Sequence, residues 1–193
     1  MVAGGPASDG RVAEGDPAVT AAGELVEVLA GDGSVRGVVT RAEMRAGRLR
    51  HRCTFVVVRS SAGEVLVHRR SDHKDLWPGR WDLCAGGVVT AGEGWAPAAR
   101  RELAEELGVE PGPGGLRPLG EFSYADDDVD ELCRVWTTTH DGPFSFDDGE
   151  VAEARFVGPD ELRAMLATEA FTPDSAAVVA PLVVGTGAEG GAD

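Results

Sequence analysis

The stretch GVVTAGEGWAPAARRELAEELGV, residues 87–109, decides how the rest of the chain is read. Ala96, Ala99, Leu103 and Leu107 recur at three- and four-residue steps, so Trp95 to Leu107 reads as an amphipathic helix with a narrow apolar stripe. Pro97 falls in the first turn, where its missing N–H costs nothing, and Gly108 stands where a helix stops by taking positive φ. On this helix Glu102, Glu105 and Glu106 crowd one side of the last two turns. Like charges at that spacing repel, and carboxylates near a helix C-terminus oppose its dipole. A hard divalent cation, Mg²⁺ or Mn²⁺, would turn the liability into a site, since such ions take oxygen ligands and substrate phosphates. Read alone, the three glutamates are more simply a solvated acidic face.

Outward from the helix, CTFVVVRS (53–60) and EVLVHRR (64–70) are strands around a Ser-Ala-Gly turn. SDHKDLWPGRW (71–81) is a loop leading into DLCAGGVV (82–89), where Gly86-Gly87 marks a bend or a close backbone approach. Downstream, RPLGEFSY (117–124) and ELCRVWTTT (131–139) are strands around an acidic tip. EARFV (153–157) is another strand and PDELRAML (159–166) a helix. A last helix runs from Thr172-Pro173, Thr172 its N-cap, to about Val184. Upstream, ELVEVLA (24–30) and VRGVVT (35–40) form a hairpin. Thr40 then caps a short helix through Ala46, with Glu43 as capping-box partner. Four segments result: a disordered leader (1–20), an N-terminal extension of hairpin and short helix (21–50), a main domain (51–185) and a flexible tail (186–193).

The 193 residues carry a formal net charge of −15, which argues against a nucleic-acid partner. It leaves room for a small phosphorylated one, because a few local cations can reverse the field in one cleft. Lys74 is the single lysine. Cys53, Cys84 and Cys133 lack metal-ligand spacing and read as reduced thiols. No apolar run is long enough to span a membrane and no signal-peptide core is present, so a cytoplasmic protein is expected.

The central stretch matches G-x5-E-x7-R-E-U-x-E-E-x-G-U (U aliphatic) without a gap. In this it resembles the Nudix hydrolases, and the resemblance covers roughly residues 24–185. It implies an α/β/α sandwich around a mixed β-sheet, with the N-terminal β extension added. It further implies Mg²⁺ or Mn²⁺ held by Glu102, Glu105 and Glu106 with the Gly87 carbonyl, and Glu93 and Gly108 as structural members of the motif. Arg101 would orient Glu93 or Glu102. The activity implied is hydrolysis of a diphosphate linkage in a nucleoside diphosphate derivative or similar small molecule. The base would be a glutamate not fully committed to metal, in the helix or at Glu131.

VLVHRRSDHKDLWPGRWDLCAGG resembles, more narrowly, the type 1 isopentenyl-diphosphate isomerases and isomerase-like Nudix hydrolases. That likeness makes Arg70 and Lys74, with Arg69 behind them, the phosphate contacts. It also aligns His51 with one histidine of the isomerases' metal site. Glu150, in a later loop, is a further candidate base. The isomerases' catalytic cysteine, in W-x-x-x-x-C-G-H, falls on Gly86, and the following histidine on Val88. Cys84, two residues earlier, reads as a small buried residue. Hydrolysis is therefore favoured; a divergent isomerase and a non-catalytic diphosphate-sensing module are the alternatives. The expected partner is a small diphosphate, with a homodimer left open as the assembly.

Overall fold

A computed structural model describes residues 23–147 and 149–185. The leader and tail expectations, residues 1–20 and 186–193, lie outside the described residues. Nine strands make one mixed sheet: β1 (Leu25–Leu29), β2 (Val35–Thr40), β3 (His51–Arg59), β4 (Val65–Arg70), β5 (Trp81–Asp82), β6 (Ala85–Val88), β7 (Arg117–Ala125), β8 (Asp130–Thr139) and β9 (Val151–Val157). The helices are α1 (Arg41–Ala46), α2 (Trp95–Leu107), α3 (Pro159–Thr168), α4 (Pro173–Val178) and α5 (Ala180–Val184).

Strand β3 is the hub. It runs parallel to β8, with His51 opposite Glu131 and Cys53 opposite Cys133, and antiparallel to β6, with Phe55 opposite Gly86. Being flanked on both sides and covered on both faces, its apolar run is nearly continuous rather than alternating. The period of two still sorts its side chains. Val56 and Val58 pack with Leu66, Ala85 and Trp136 against Ala99, Leu103 and Leu107 of α2. Phe55 and Val57 pack with Val67 and Val135 against Met44 of α1, Leu162 and Met165 of α3, and Val178 and Val183 from the C-terminal helices. Helices on both faces of a mixed sheet make the expected α/β/α sandwich.

Three boundaries differ from expectation. The stretch 82–89, read as one segment with a bend or close approach at Gly86-Gly87, holds the end of β5 and all of β6, separated by a bend at Leu83-Cys84. The single last helix is two, α4 and α5, because Pro181 has no N–H to give to a continuous helix. Thr172 is the N-cap residue as read, but its side chain accepts no capping N–H; its hydroxyl pairs with that of Ser175 at 2.6 Å. The N-terminal hairpin and α1 form as read, capping box included. They are not an appendage, since Val28 of β1 pairs with His51 and extends the sheet beside β3.

Candidate active site

The apolar stripe of α2 fixes which way its glutamates face. Leu103 and Leu107 are fully buried against the sheet, so Glu102 and Glu106, one position before each, lie over β6. There the sheet has no side chains to meet them. A Cβ on Gly87 would lie 2.7–2.8 Å from the Glu102 carboxylate atoms, and the Gly86 N–H donates to Glu106 Oε2 at 3.0 Å. The paired glycines thus let two carboxylates sit against bare backbone. Gly108 closes the helix at φ +66°, where a Cβ would also strike Ser145 at 2.8 Å.

Both carboxylates are buried, and burial is the main reason their pKa values rise, to about 7 for Glu102 and about 8 for Glu106. Arg101 opposes the rise at Glu102 and Lys74 opposes it at Glu106. Arg101 is the organiser of this wall. It grips Glu93 with two nitrogens (Nε–Oε1 3.2 Å, Nη2–Oε2 3.0 Å) and reaches Glu102 at 2.7 Å, Glu105 at 3.1 Å and the Val88 carbonyl at 3.2 Å. Of the three helix glutamates, Glu105 alone is more than half exposed. The sequence places all three on one side; the structure buries only two.

Beside them is a small cleft of about 50 Å³, lined in part by Gly86, Gly87 and Val88. Lys74 lies 3.8 Å from Glu106 and pairs with Glu150. Arg70 donates to the Leu76 carbonyl at 3.2 Å and stands 3.5 Å from Asp82. Both line the cleft. Arg69 does not: neighbouring residues of a strand point to opposite faces, and its guanidinium pairs instead with Glu153 at 3.1 Å. Trp77, in the left-handed region at φ +49°, lines the cleft, whereas Trp81 packs against the core. The helix glutamates are not themselves among the residues lining the cleft; Glu106 meets it through Lys74.

Glu131 lies on the cleft floor, buried, within 3.4 Å of Cys53 Sγ and 3.6 Å of Cys133 Sγ. Burial raises its pKa. His51 Nδ1 donates to the Leu49 carbonyl at 2.8 Å, so Nδ1 carries the proton. Its Nε2 is buried without a hydrogen-bond partner, 3.8 Å from Glu131. His51, Cys53 and Glu131 bring three ligand-type atoms within 4.8 Å of one another. Their charge environment is poor for a cation, because Arg45 acts on all three. The α2 pair fits a divalent ion better. Arg101 and Lys74 only partly offset the burial of these two carboxylates, whose pKa values stay above the ordinary range, and both are oxygen donors.

Gly86 explains why the isomerase cysteine has no place here. A Cβ on it would lie 2.1 Å from the Thr54 carbonyl oxygen, and no side chain of any kind fits. Cys84 is buried in the core, its thiol pKa pushed up by burial and by Asp82, as befits an inert thiol. Sequence reasoning missed Arg41 and Arg45 of α1, Asp82 and Asp174, all of which line the cleft. A basic pair at i,i+4 on a short capped helix was the available signal for the arginines.

A mixed sandwich with a buried glutamate pair over a glycine bend, opposed by a basic loop, defines a class of phosphate-handling proteins. Comparison with known proteins agrees: residues 49–179 match the NUDIX domain. The uncharacterized Nudix hydrolase YfcD of Escherichia coli K12 is 39% identical over 156 residues, covering 79% of this chain and 82% of that protein. The uncharacterized Nudix hydrolase SCO1686 of Streptomyces coelicolor is 36% identical over 180 residues, covering 91% of this chain and 97% of that protein. Among solved structures, DR0079 from Deinococcus radiodurans superimposes with a TM-score of 0.69 at 29% identity, over 83% of this chain and 97% of that one. The chain belongs to the Nudix hydrolase family. Family membership implies a hydrolase of pyrophosphate bonds. Among the described residues no helix is long and apolar enough to cross a membrane.

Proposed function

We propose that this protein is a divalent-metal-dependent hydrolase that cleaves the diphosphate linkage of a nucleoside diphosphate derivative or a similar small molecule. The observation that carries the reading is the pair Glu102 and Glu106. Two carboxylates are buried against the Gly86-Gly87 backbone, and Lys74 and Arg70 line the cleft that these glycines also line, Lys74 3.8 Å from Glu106. Glu102 and Glu106 would hold Mg²⁺ or Mn²⁺, with Glu105 at the exposed edge and the Gly87 carbonyl beside them. When bound, the ion neutralises the diphosphate and lowers the pKa of an attacking water.

The chain's own residues do the rest. Arg101 is a positioning residue: its fork on Glu93 fixes the guanidinium, which holds Glu102 and Glu105 in place. Lys74 and Arg70 bind diphosphate oxygens and orient the scissile bond. Glu131, on the cleft floor with a raised pKa, is the carboxylate that takes the water's proton; Glu105 is the competing base. Three free buried thiols support a reducing, cytoplasmic setting for the reaction. The crowding at Gly86 weighs against isomerase chemistry through that position.

Phosphorus NMR of the purified protein with Mg²⁺ tests the reading. The panel is nucleoside di- and triphosphates, sugar-linked nucleoside diphosphates, dinucleotide cofactors and isoprenoid diphosphates. Cleavage at a diphosphate, lost in Glu106→Gln, is the expected result. Full turnover by Glu102→Gln would sink the metal assignment, and Glu131→Gln turning over like wild type would move the base to Glu105.

A further inference from the structure

We propose that Arg41 and Arg45 of the N-terminal extension form an anion subsite on the cleft, opposite Lys74 and Arg70, that takes phosphate oxygens of the diphosphate substrate. The proposal deepens the reading above and rests on it. It places half of the cationic lining outside the matched NUDIX domain, which begins at residue 49.

The geometry begins with the capping of α1. The Thr40 side chain accepts from the Glu43 N–H at 3.2 Å, and Glu43 accepts from the Thr40 N–H at 2.8 Å, so the register of this short helix is fixed. Met44, 1% exposed, anchors it in the core beneath. Arg41 and Arg45, spaced i,i+4, then share a face, and both line the cleft with Arg70, Lys74, Gly86 and Gly87. Their positive charge reaches the floor: Arg41 acts on Glu102, and Arg45 on Glu131 and Cys53.

Arg45 carries the argument furthest. Its Nε and one terminal nitrogen are buried with no hydrogen-bond partner. The nearest carboxylate, Asp75 Oδ2, is 4.0 Å from Nε, beyond hydrogen-bond reach. A buried guanidinium donor left unsatisfied is destabilising, so its retention asks for an acceptor. The surroundings specify which kind. A neutral acceptor would suffice for one nitrogen, but a forked cation beside Arg41, with Arg70 and Lys74 on the same cleft, suits an oxyanion with several oxygens. Arg41 is already tethered to Glu24 at 3.3 Å, which holds it at the rim. The extension therefore contributes recognition as well as a sheet edge.

The test uses the full chain with Mg²⁺ and methylene diphosphonate, a diphosphate analogue with a P–C–P bridge that cannot be hydrolysed. Binding is followed by calorimetry across a range of salt concentrations. Wild type binds, Arg45→Gln weakens binding about tenfold, and Arg41→Gln/Arg45→Gln weakens it further with a shallower dependence on salt. Arg45→Lys recovers part of the affinity. Thermal melts and far-ultraviolet circular dichroism identify any variant that has lost its fold; Arg41→Gln, at the rim, then reports alone. Wild-type affinity and salt dependence in the double variant would overturn the subsite, as would no binding by the wild type. Glu102→Gln turnover judges the hydrolase reading separately, so a failed subsite and a failed hydrolase give different results.

Discussion

The two walls of the cleft are built by opposite means. The acidic wall is one regular element: α2 presents Glu102 and Glu106 at i,i+4, one position before each core leucine, and Gly86-Gly87 leaves them room. The basic wall is assembled from a strand end, a loop and a short helix, supplying Arg70, Lys74, Arg41 and Arg45. The first wall is rigid because packing and carboxylate position are the same fact. The second can vary in reach without disturbing the core. On the proposed reading, chemistry sits on the wall fixed by core packing and recognition on the wall built from a strand end, a loop and a short helix.

The comparison breaks most visibly at Glu102. Glu102→Gln keeps the shape but removes a charge that the proposed metal site requires, and kcat should fall by about 10³-fold or more with the fold retained. Turnover assayed by phosphorus NMR, with a thermal melt as control, decides it. On the basic wall the loss should be smaller and should fall mainly on binding. Lys74→Ala or Arg70→Ala should raise KM roughly 10- to 100-fold and change kcat less. Equal losses in kcat from both walls would mean the division of labour is wrong.

Packing under the acidic wall gives the next effect. Leu103, next to Glu102 on α2, is fully buried against the sheet. Leu103→Ala should cost about 2–5 kcal/mol of stability, read from urea unfolding. Because the same helix carries the site, activity should fall with it; Leu162→Ala, in the opposite core, should cost similar stability and spare kcat.

The acidic wall should also show in the pH dependence of stability without metal. Glu102 and Glu106 have native pKa values of about 7 and about 8, above the ordinary 4.5. The native state then binds more protons than the unfolded chain, and stability falls as pH rises through that range. His51 and His68, buried and lowered to about 4, work in the opposite sense, but their contribution is complete once pH exceeds about 6.5. Between pH 6.5 and 9 in EDTA, Tm should therefore drop by roughly 5 °C. Mg²⁺ should restore most of it, and Glu106→Gln should flatten the slope. A rising Tm over that interval would contradict the burial assigned to the pair.

The difference between the walls is also why one was legible in the sequence and the other only in part. The spacing of Leu103, Leu107, Glu102 and Glu106 fixes their relation on any helix, so the acidic wall could be read without a structure. Gly86-Gly87 was readable as a close approach, though not what approached. Glu105 was placed with its neighbours because spacing cannot say which side of a helix meets solvent once an arginine is shared. Arg41 and Arg45 were hidden for a different reason. Their helix was visible, but its position over the cleft depends on β1 joining β3 through Val28 and His51, a pairing between distant residues. The split at Pro181 was in principle readable and was outweighed by the apolar run around it.

Arg69 offers the smallest and sharpest test. It is adjacent to Arg70, carries the same charge, and the likeness to the isomerases puts both near phosphate. The strand pleat separates them: Arg70 turns into the cleft, while Arg69 pairs with Glu153 on the neighbouring β9 and stands 3.9 Å from Asp72. An exposed pair of this kind contributes about 0–1 kcal/mol. Arg69→Ala should therefore leave KM within about twofold of wild type and lower Tm by at most a few degrees, where Arg70→Ala shifts KM by tenfold or more. The two variants differ by one position and by no net charge. A large KM effect at Arg69 would show that the strand end turns on substrate binding, and that the basic wall is more mobile than its hydrogen bonds to Leu76 suggest.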